Sequence, residues 1–247
     1  MNKKKVLSKL NPLFLTGIAH RGLHNDKYTE NGMNAFGNAI RHNLPIELDI
    51  HLTKDNQLVV CHDEDLKRTT GTSGIIEDLT VEEIKKNYRL LDGGEVPTFL
   101  EVLDFVKEQV PLVVELKVFR KNYKELSKKV LEVLSEKVVD KTNFTLISFD
   151  PRSLWPLKKL GIIRSLLAVK SHEYVYNYFR HSVESVDLDQ TLFEEKRIQR
   201  YHKRYLVNAW TIQSEEELDK ILPYVDTVTF QHMDENIVRN KLKAVKH

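Results

Sequence analysis

The stretch IELDIHL, residues 46–52, alternates strictly between apolar and polar side chains. Successive side chains of a strand point to opposite faces, so the four apolar residues share one face and Glu47, Asp49 and His51 share the other. A polar stripe of this kind usually faces solvent on one side of a sheet. In a closed barrel the same stripe would point into the interior, so the rest of the chain decides between a solvated face and a functional site.

Seven further segments have the apolar, β-branched character of strands, and helical patterns separate them. Alternation of strand and helix predicts parallel strands joined by crossover helices. Eight such strands predict an α/β fold, a closed (β/α)8 TIM barrel. An open doubly wound sheet is the alternative, but no glycine-rich turn of the dinucleotide or P-loop type follows a strand. The predicted strands are TGIAH (16–20), IELDIHL (46–52), LVVELK (112–117), FTLISF (144–149), RSLLAV (164–169), ESVDLD (184–189), LVNAW (206–210) and DTVTF (226–230).

The connections between these strands have the spacing of amphipathic helices. Each supplies the dozen or more residues that a parallel crossover needs. The predicted helices are MNAFGNAIRH (33–42), KNYKELSKKVLEVLSEK (121–137), RSLWPLKKL (152–160), HEYVYNYF (172–179), FEEKRIQRYHK (193–203), SEEELDKIL (214–222) and DENIVRNKLKAV (234–245).

The segment QLVVCHD, residues 57–63, is also strand-like, but only TKDN separates it from the second strand. Four residues are too few for a parallel crossover, so this segment is predicted to fold back as an antiparallel hairpin. With Asp55 and Asn56 as the two turn residues, Asp49 pairs with His62. The hairpin is therefore predicted to bring His62 above the mouth of the barrel.

The connection from about residue 63 to residue 110 is longer than a simple loop between a strand and a helix. Long insertions after a barrel strand usually shape the substrate entrance, so a small lid is predicted here. A length of 247 residues is ordinary for one α/β barrel, and no repeat or Pro/Gly-rich linker divides the chain. The sequence therefore predicts a single domain over residues 1–247 with a small insertion after the second strand.

The charge balance gives no reason to expect a nucleic-acid partner, because 38 basic and 36 acidic residues leave a net charge of +2. The basic start, residues 1–10, is predicted to be a solvated or membrane-grazing terminus. The segment NPLFLTGIA, residues 11–19, contains a proline and is too short for a signal-peptide core or an integral membrane segment. The single cysteine, Cys61, excludes an internal disulfide, so a cytoplasmic protein is predicted.

Polar residues that end barrel strands and point inward are the candidates for catalysis, since barrel enzymes place their active sites at the carboxyl ends of the strands. The period of two puts Glu115 and Lys117 on one face of the third barrel strand, as it does Glu47 and Asp49 on the second. Three carboxylates that converge repel each other unless a cation lies between them. An all-oxygen ligand set favours Mg²⁺ or Ca²⁺ over zinc.

A substrate phosphate can complete the ligand shell of such an ion. Arg21 and Lys117 would then offer charge-assisted hydrogen bonds to the phosphate. His20 and His62 could exchange protons on opposite sides of phosphorus, because imidazole titrates near neutral pH. The residues thus predict chemistry at a phosphate group.

In their order and approximate spacing these residues resemble the signature of the glycerophosphodiester phosphodiesterases. Each short motif is weak on its own, but the ordered set is specific and covers nearly the whole chain. The matching motifs are AHRG (19–22), TEN (29–31), ELD (47–49), HD (62–63), VPTFLEVL (96–103), ELK (115–117), SFD (148–150) and AWT (209–211).

The resemblance implies a TIM barrel with an insertion near the second strand and a metal-dependent hydrolase. The implied reaction splits a small-molecule glycerophosphodiester into sn-glycerol 3-phosphate and an alcohol, by in-line attack of water or of the substrate's own glycerol hydroxyl. The implied cofactor is one divalent ion, Mg²⁺ or Ca²⁺, with Mn²⁺ as a third candidate. Carried over residue by residue, the metal ligands are Glu47, Asp49 and Glu115, the acid/base pair is His20 and His62, the phosphate ligands are Arg21 and Lys117, Glu30 orients the first-strand groups or glycerol, and Trp210 walls the pocket.

The chain departs from the family pattern at two places. Thr29 and Gly32 stand where proline and threonine usually flank the Glu-Asn pair, which predicts a differently shaped loop. At the last strand TFQH, residues 229–232, replaces a common Thr-Asp-x-Pro pattern. Two alternatives therefore accompany the main hypothesis: a phospholipase D-like or cyclising phosphodiesterase on the same fold, and a catalytically silent barrel that acts as a binding module.

Overall fold

Eight parallel strands close into a barrel in the computed structural model, which describes residues 3–172 and 177–245. The first strand pairs with both the second and the last strand, so the barrel is closed. The predicted (β/α)8 TIM barrel is confirmed, and all eight predicted barrel strands form. A ninth, short strand pairs antiparallel with the second. In chain order the strands are β1 (Ile18–Ala19), β2 (Ile46–Leu52), β3 (Leu58–Val60), β4 (Leu112–Leu116), β5 (Phe144–Ser148), β6 (Ile163–Ala168), β7 (Ser185–Asp189), β8 (Leu206–Ile212) and β9 (Thr227–Phe230).

Helices connect the barrel strands as predicted, although two of them are broken. The helix predicted at 152–160 divides at Pro156, which lacks the N–H that a continuous helix requires. The helix predicted at 193–203 consists of short pieces, and residues 173–176 of the helix predicted at 172–179 lie outside the described residues. The α-helices are α1 (Lys3–Leu7), α2 (Met33–Arg41), α3 (Lys67–Thr70), α4 (Val81–Asn87), α5 (Phe99–Val106), α6 (Tyr123–Lys137), α7 (Pro151–Leu154), α8 (Lys196–Gln199), α9 (Glu215–Ile221) and α10 (Glu235–Val245). The 3₁₀ turns are Pro12–Thr16, Ile76–Asp78, Lys141–Asn143, Pro156–Leu160, Lys170–His172, Arg180–Ser182, Gln190–Glu194, Tyr201–Lys203 and Leu222–Tyr224.

The two faces of the barrel strands have different surroundings. Outward apolar side chains such as Leu48 and Val114 join a continuous core with helix residues that include Phe36. All seven residues of β2 are buried, so its polar face does not look at solvent. The polar stripe of β2 therefore lies inside the barrel, where unpaired charge would be costly.

The basic N-terminus is not a solvated or membrane-grazing tail, so that prediction is wrong. Val6, Leu10 and Phe14 are 0%, 7% and 2% exposed, and they pack against inward-facing barrel residues such as Val113. Val6 lies on α1 and Phe14 on the 3₁₀ turn Pro12–Thr16, and Leu10 lies in the link between them. The segment closes the barrel at the amino ends of the strands. No helix in the described part of the chain is long and apolar enough to cross a membrane.

The β2–β3 hairpin forms as predicted, but its register differs by one residue. Val60 pairs with Ile50, and the N–H of Cys61 donates to the carbonyl oxygen of Asp49 at 3.1 Å. The predicted pairing of Asp49 with His62 is therefore wrong. His62 lies one position beyond Cys61, where the hairpin strand has ended.

The turn explains the shift, because it has three residues rather than two. Asn56 adopts the left-handed conformation (φ 57°), which asparagine tolerates better than most residues. Its N–H donates to the carbonyl oxygen of Thr53 at 3.0 Å, and Thr53 N pairs with Gln57 O at 2.9 Å. A turn followed by one left-handed residue is a common three-residue hairpin connection.

The long connection between β3 and β4 has a small apolar core of its own. Cys61, Leu66, Ile76 and Ile84 are all buried in it. Two of its helices, α4 and α5, each begin with a capping box in which a threonine and a glutamate satisfy each other's backbone N–H. This segment carries α3, which lies beside the mouth of the barrel.

Candidate active site

A tight turn after β1 places His20 and Arg21 at the carboxyl end of the barrel. Arg21 (φ 53°) and Gly22 (φ 81°) both adopt left-handed conformations. A β-carbon at Gly22 would lie 3.0 Å from the backbone carbon of Ala35, so glycine fits this position on two grounds. The N–H of Arg21 donates to Glu47 Oε2 at 2.9 Å, which fixes the turn against β2.

Glu47, Asp49 and Glu115 form a carboxylate triad inside the barrel. Asp49 and Glu115 are direct neighbours across the β2–β4 pairing. One oxygen from each of the three lies within 4.8 Å of the others, and the residues are 3%, 1% and 8% exposed. The structure thus brings together the three residues that strand periodicity singled out. Three buried oxygen ligands at this spacing can hold a divalent cation.

Burial and mutual repulsion raise the pKa of two members of the triad. Burial, with the charges of Asp49 and Glu115, raises the pKa of Glu47 well above 4.5. Burial likewise raises the pKa of Glu115 to about 7. Burial acts in the same direction on Asp49, but the cations of Lys117 and Arg21 outweigh it and hold the pKa of Asp49 below its usual value. The metal-free triad therefore resists full ionisation, which a divalent cation would relieve.

Two cations lie against the triad. Lys117 Nζ lies 2.8 Å from Glu115 Oε1 and 3.2 Å from Asp49 Oδ1. Burial opposes the Lys117 charge, but these carboxylates more than offset it and raise the Lys117 pKa. Arg21 Nε lies 3.4 Å from Asp49 Oδ2. Both cations would also reach an anionic ligand of a metal bound at the triad.

Gln231 holds the imidazole of His20. His20 Nδ1 lies 2.6 Å from Gln231 Oε1, and an amide oxygen only accepts, so Nδ1 carries the proton. This leaves Nε2 free to accept, 4.0 Å from Glu47 Oε2. Burial, aided by the Arg21 charge, lowers the His20 pKa to about 4. His20 is therefore neutral at pH 7, and the atypical TFQH segment supplies its partner.

His62 is held by a carboxylate instead. His62 Nδ1 lies 2.6 Å from Asp63 Oδ1, so Nδ1 donates and Nε2 faces away from Asp63. Burial lowers the His62 pKa, while the charge of Asp49 and the Asp63 hydrogen bond oppose that shift. Asp63 accepts in turn from Arg68 Nε at 2.6 Å. Compared with His20, His62 is the better placed of the two imidazoles to hold a second proton.

A chain of ion pairs links the two halves of the site through α3. Arg68 donates both terminal nitrogens to Glu30, at 2.7 and 2.9 Å, in addition to its bond with Asp63. Glu30 accepts from Arg21 at 2.8 Å. These bonds lower the pKa of Glu30 to about 2 despite its burial, so Glu30 stays ionised. Arg68 therefore connects the Arg21 side of the site to the His62 side.

His51 supports the loop that carries His62. Its Nε2 lies 3.1 Å from the carbonyl oxygen of His62, and its Nδ1 lies 2.8 Å from Glu77 Oε1. His51 is 3% exposed, so both contacts are shielded from solvent.

Asn31 is a site residue to which sequence reasoning assigned no role. It is 1% exposed, its side chain donates to Asp49 Oδ2 at 2.9 Å, and it accepts from Asp49 N at 3.3 Å. Its φ of 56° suits asparagine. The TEN motif was a visible signal, but only the fold shows that Asn31 orients Asp49.

Seven of the nine predicted site residues line one cavity of about 190 Å³ at the carboxyl end of the barrel. Within the described residues, Arg21 Nε and Trp210 Nε1 are buried without a hydrogen-bond partner, so both can donate to a ligand. Trp210 also packs edge-on against Phe149 with ring centroids 5.8 Å apart. Two predicted residues lie outside this lining: Asp49, which contacts Arg21 and Lys117, and Glu30, which acts through Arg21. Around the cavity lie His20, Arg21, Glu47, His62, Glu115, Lys117, Phe149, Asp187, Trp210 and Thr229, among others.

Replacing Glu115 with glutamine is expected to stabilise the metal-free protein above pH 7. The folded pKa of about 7 lies above the ordinary 4.5, so the stability tied to protonated Glu115 is fully present below pH 4.5 and is lost as pH rises through 7. Across that window the free energy of unfolding of the wild type should therefore drop by on the order of 2–3 kcal/mol relative to that of Glu115→Gln. Urea unfolding in EDTA at pH 5, 6, 7 and 8 measures the difference.

All other ionisable groups are present in both proteins, so the comparison reports on Glu115 and the carboxylates beside it. Saturating divalent cation should stabilise the wild type at pH 8 and have a much smaller effect on Glu115→Gln. If the difference in unfolding free energy between the two proteins stayed constant from pH 5 to pH 8, the raised pKa of Glu115 would be contradicted.

Comparison with known proteins places the chain in a family. The model of the glycerophosphoryl diester phosphodiesterase family matches residues 20–235. The chain belongs to this family. It is 36% identical over 152 residues to a glycerophosphodiester phosphodiesterase of Caldanaerobacter subterraneus, a match that covers 58% of this chain and 62% of the relative. The chain thus spans roughly half of the length of the curated relatives that it matches.

Solved structures extend the family likeness over nearly the whole fold. A glycerophosphodiester phosphodiesterase from Thermotoga maritima is 28% identical, with a TM-score of 0.73 over 93% of this chain and 97% of that one. An Oleispira antarctica phosphodiesterase, solved with the product sn-glycerol-3-phosphate, has the same fold at 24% identity, with a TM-score of 0.77 over 92% and 95% of the two chains. The glycerophosphodiester phosphodiesterase barrel is therefore the architecture of this chain.

Proposed function

We propose that the protein is a divalent-metal-dependent glycerophosphodiester phosphodiesterase. It would hydrolyse a small-molecule glycerophosphodiester to sn-glycerol 3-phosphate and a free alcohol. The observation that carries the proposal is the buried carboxylate triad, in a chain of this family: two of its members, Glu47 and Glu115, line the same cavity as two imidazoles with different hydrogen-bond partners. The single cysteine, Cys61, is buried and forms no disulfide, which supports a cytoplasmic setting.

The residues fit a hard divalent ion. Glu47, Asp49 and Glu115 supply only oxygen atoms, and two of them have raised pKa values that an ion would lower. We propose Mg²⁺ or Ca²⁺, with Mn²⁺ as an alternative. When bound, such an ion would polarise the phosphoryl oxygens and offset charge that develops in the transition state.

The two histidines divide the proton transfers. His20 is neutral and presents Nε2, so it accepts the proton of the attacking hydroxyl, which belongs to water or to the substrate's own glycerol. The attacking oxygen bonds to phosphorus, and the bond from phosphorus to the alcohol oxygen breaks. His62, held by Asp63, donates its Nε2 proton to that departing oxygen. Arg21 and Lys117 bind the phosphate oxygens meanwhile.

The remaining groups position the substrate. Trp210 offers an unpaired indole N–H to the glycerol side of the cavity. Glu30 orients Arg21 through a hydrogen bond. Arg68, which lies in the segment between β3 and β4, donates to Glu30 and so links it to that segment. We propose that this segment, residues 63–110, acts as the lid of the site.

Turnover of a substrate panel tests the proposal. Wild-type protein stripped with EDTA should release glycerol 3-phosphate from glycerophosphocholine, glycerophosphoethanolamine or glycerophosphoglycerol only after Mg²⁺, Ca²⁺ or Mn²⁺ is added. A coupled glycerol 3-phosphate assay gives the rate, and ³¹P NMR identifies the product. A cyclic phosphate as the end product would favour the cyclising alternative, and no turnover with any pair would favour the silent binding module.

A further inference from the structure

A second, larger cavity adjoins the catalytic one on the His62 side. This leaving-group groove, as we call it, has a volume of about 760 Å³ and shares His62, Glu115, Lys117 and Phe149 with the 190 Å³ cavity. A volume of that size suits a ligand of tens of atoms. The two spaces are continuous, so one substrate can occupy both.

The walls of the groove are largely apolar. They come from the loops after β4 and β5, and Phe149 and Trp155 leave 38% and 44% of their surface exposed there. Trp155 also contacts Phe179, with ring centroids 5.7 Å apart. Large exposed aromatic side chains that converge beside an active site mark a binding surface for apolar groups. The apolar lining consists of Val118, Phe119, Phe149, Pro151, Trp155 and Phe179.

The position of His62 decides which half of the substrate enters the groove. His62 borders both cavities, whereas His20 borders only the smaller one. In an in-line displacement the attacking and departing oxygens lie on opposite sides of phosphorus. If His62 protonates the departing oxygen, the alcohol leaves towards the groove. The small cavity, with Trp210 and polar Thr229, then holds the glycerol half.

The charged residues around the groove carry both signs. The carboxylates of Asp63, Glu64, Glu115 and Asp150 line it together with the cations of Lys117, Lys121 and Arg152. Ion pairs join Asp63 to Arg68, Glu115 to Lys117 and Asp150 to Arg152. An uncharged hydrocarbon chain leaves these pairs in place and buries the apolar walls.

We propose that the leaving-group groove binds an extended hydrocarbon chain on the alcohol half of the phosphodiester. The preferred substrates are then glycerophosphodiesters of long-chain alcohols rather than of small polar head groups. This inference rests on the proposed function and adds the substrate class to it.

A homologous series of glycerophospho-n-alkanols, from ethanol to octanol and below their micelle concentrations, tests the groove. Each buried methylene contributes up to about 0.8 kcal/mol, a factor of about four, so a partly open groove should give about two- to fourfold in kcat/KM per methylene. The octyl ester should exceed the ethyl ester by fiftyfold or more on this basis, roughly two per step over six steps. Glycerophosphocholine should resemble the ethyl ester.

Trp155→Ala should lower kcat/KM for the octyl ester by about tenfold or more, and so should Phe119→Ala, since each removes a large part of the apolar wall. In both variants kcat/KM should therefore depend less on chain length. Val139→Ala, which truncates a side chain that is 90% exposed and outside the groove lining, should keep the full slope. Melting temperatures verify folding, and the second groove variant keeps the test decisive if Trp155→Ala fails to fold.

The outcomes separate the groove from the proposed function. No turnover of any ester would overturn the proposed function itself. Turnover of all esters at equal kcat/KM would overturn the groove and leave the function standing. A preference for glycerophosphocholine over the octyl ester would also overturn it, as would faster turnover when a chain of equal length is carried on the glycerol instead of on the alcohol.

Discussion

Glu47→Gln is expected to lower kcat/KM by about a thousandfold or more, because loss of a metal ligand removes several kcal/mol of transition-state stabilisation. Glutamine keeps an oxygen that can accept the N–H of Arg21, so the turn after β1 should stay in place. The variant should not be less stable than the wild type in EDTA at pH 8, since it relieves the repulsion that raises the Glu47 pKa. Initial rates, calorimetric titration with the metal, and urea unfolding measure the three effects.

A matched variant separates this result from a general effect of removing one negative charge. Glu216→Gln removes an exposed carboxylate that pairs only with Lys220, four residues away, and should leave all three measurements unchanged. If Glu47→Gln retained its activity within tenfold and kept its metal affinity, the carboxylate triad would not be the metal site.

His62→Gln is expected to slow hydrolysis of an alkyl ester by about a hundred- to ten-thousandfold, the usual contribution of a general acid. The loss should be far smaller for a glycerophospho-4-nitrophenyl ester. Its nitrophenolate leaves without a proton, so it does not need the imidazole. Single-turnover rates for both esters at pH 7 measure the difference.

His20→Gln provides the contrast, because a base that activates the attacking hydroxyl is needed whatever group departs. Its loss in rate should be equally large for both esters. The rate of Asp63→Asn on the alkyl ester should lie between the rates of wild type and His62→Gln. This variant weakens the hydrogen bond that orients the His62 ring but keeps the ring. If the nitrophenyl ester rescued His20→Gln and not His62→Gln, the roles of the two histidines would be reversed.

Strand periodicity predicted the barrel and the triad because both depend on local rules. Side chains two positions apart on a strand share a face, and parallel neighbours then bring Asp49 beside Glu115 without any further information. The hairpin register was beyond such rules, since it depended on whether Asn56 would take a left-handed conformation. That choice moved the partner of Asp49 from His62 to Cys61.

The residues that hold His20 and Glu30 could not be predicted, because they come from distant parts of the chain. Gln231 lies 211 positions from His20, and Arg68 lies 38 positions from Glu30. Both contacts exist only because the barrel closes and the segment between β3 and β4 folds over its mouth. The burial of Val6, Leu10 and Phe14 could not be predicted for the same reason, since they pack against barrel residues such as Val113 that lie far along the chain.

Closure of the barrel between β1 and β9 has a consequence for how the protein folds. Ile18 pairs with Thr229, and Thr227 Oγ1 donates to the carbonyl oxygen of Phe14 across 213 positions of sequence. Contacts of such long sequence separation slow folding, because the entropy of loop closure must be overcome before they contribute stability. On the ribosome this seam can form only after nearly the whole chain has emerged. His20 and Gln231 lie on opposite sides of it, so the His20 imidazole gains its hydrogen-bond partner among the last events of folding.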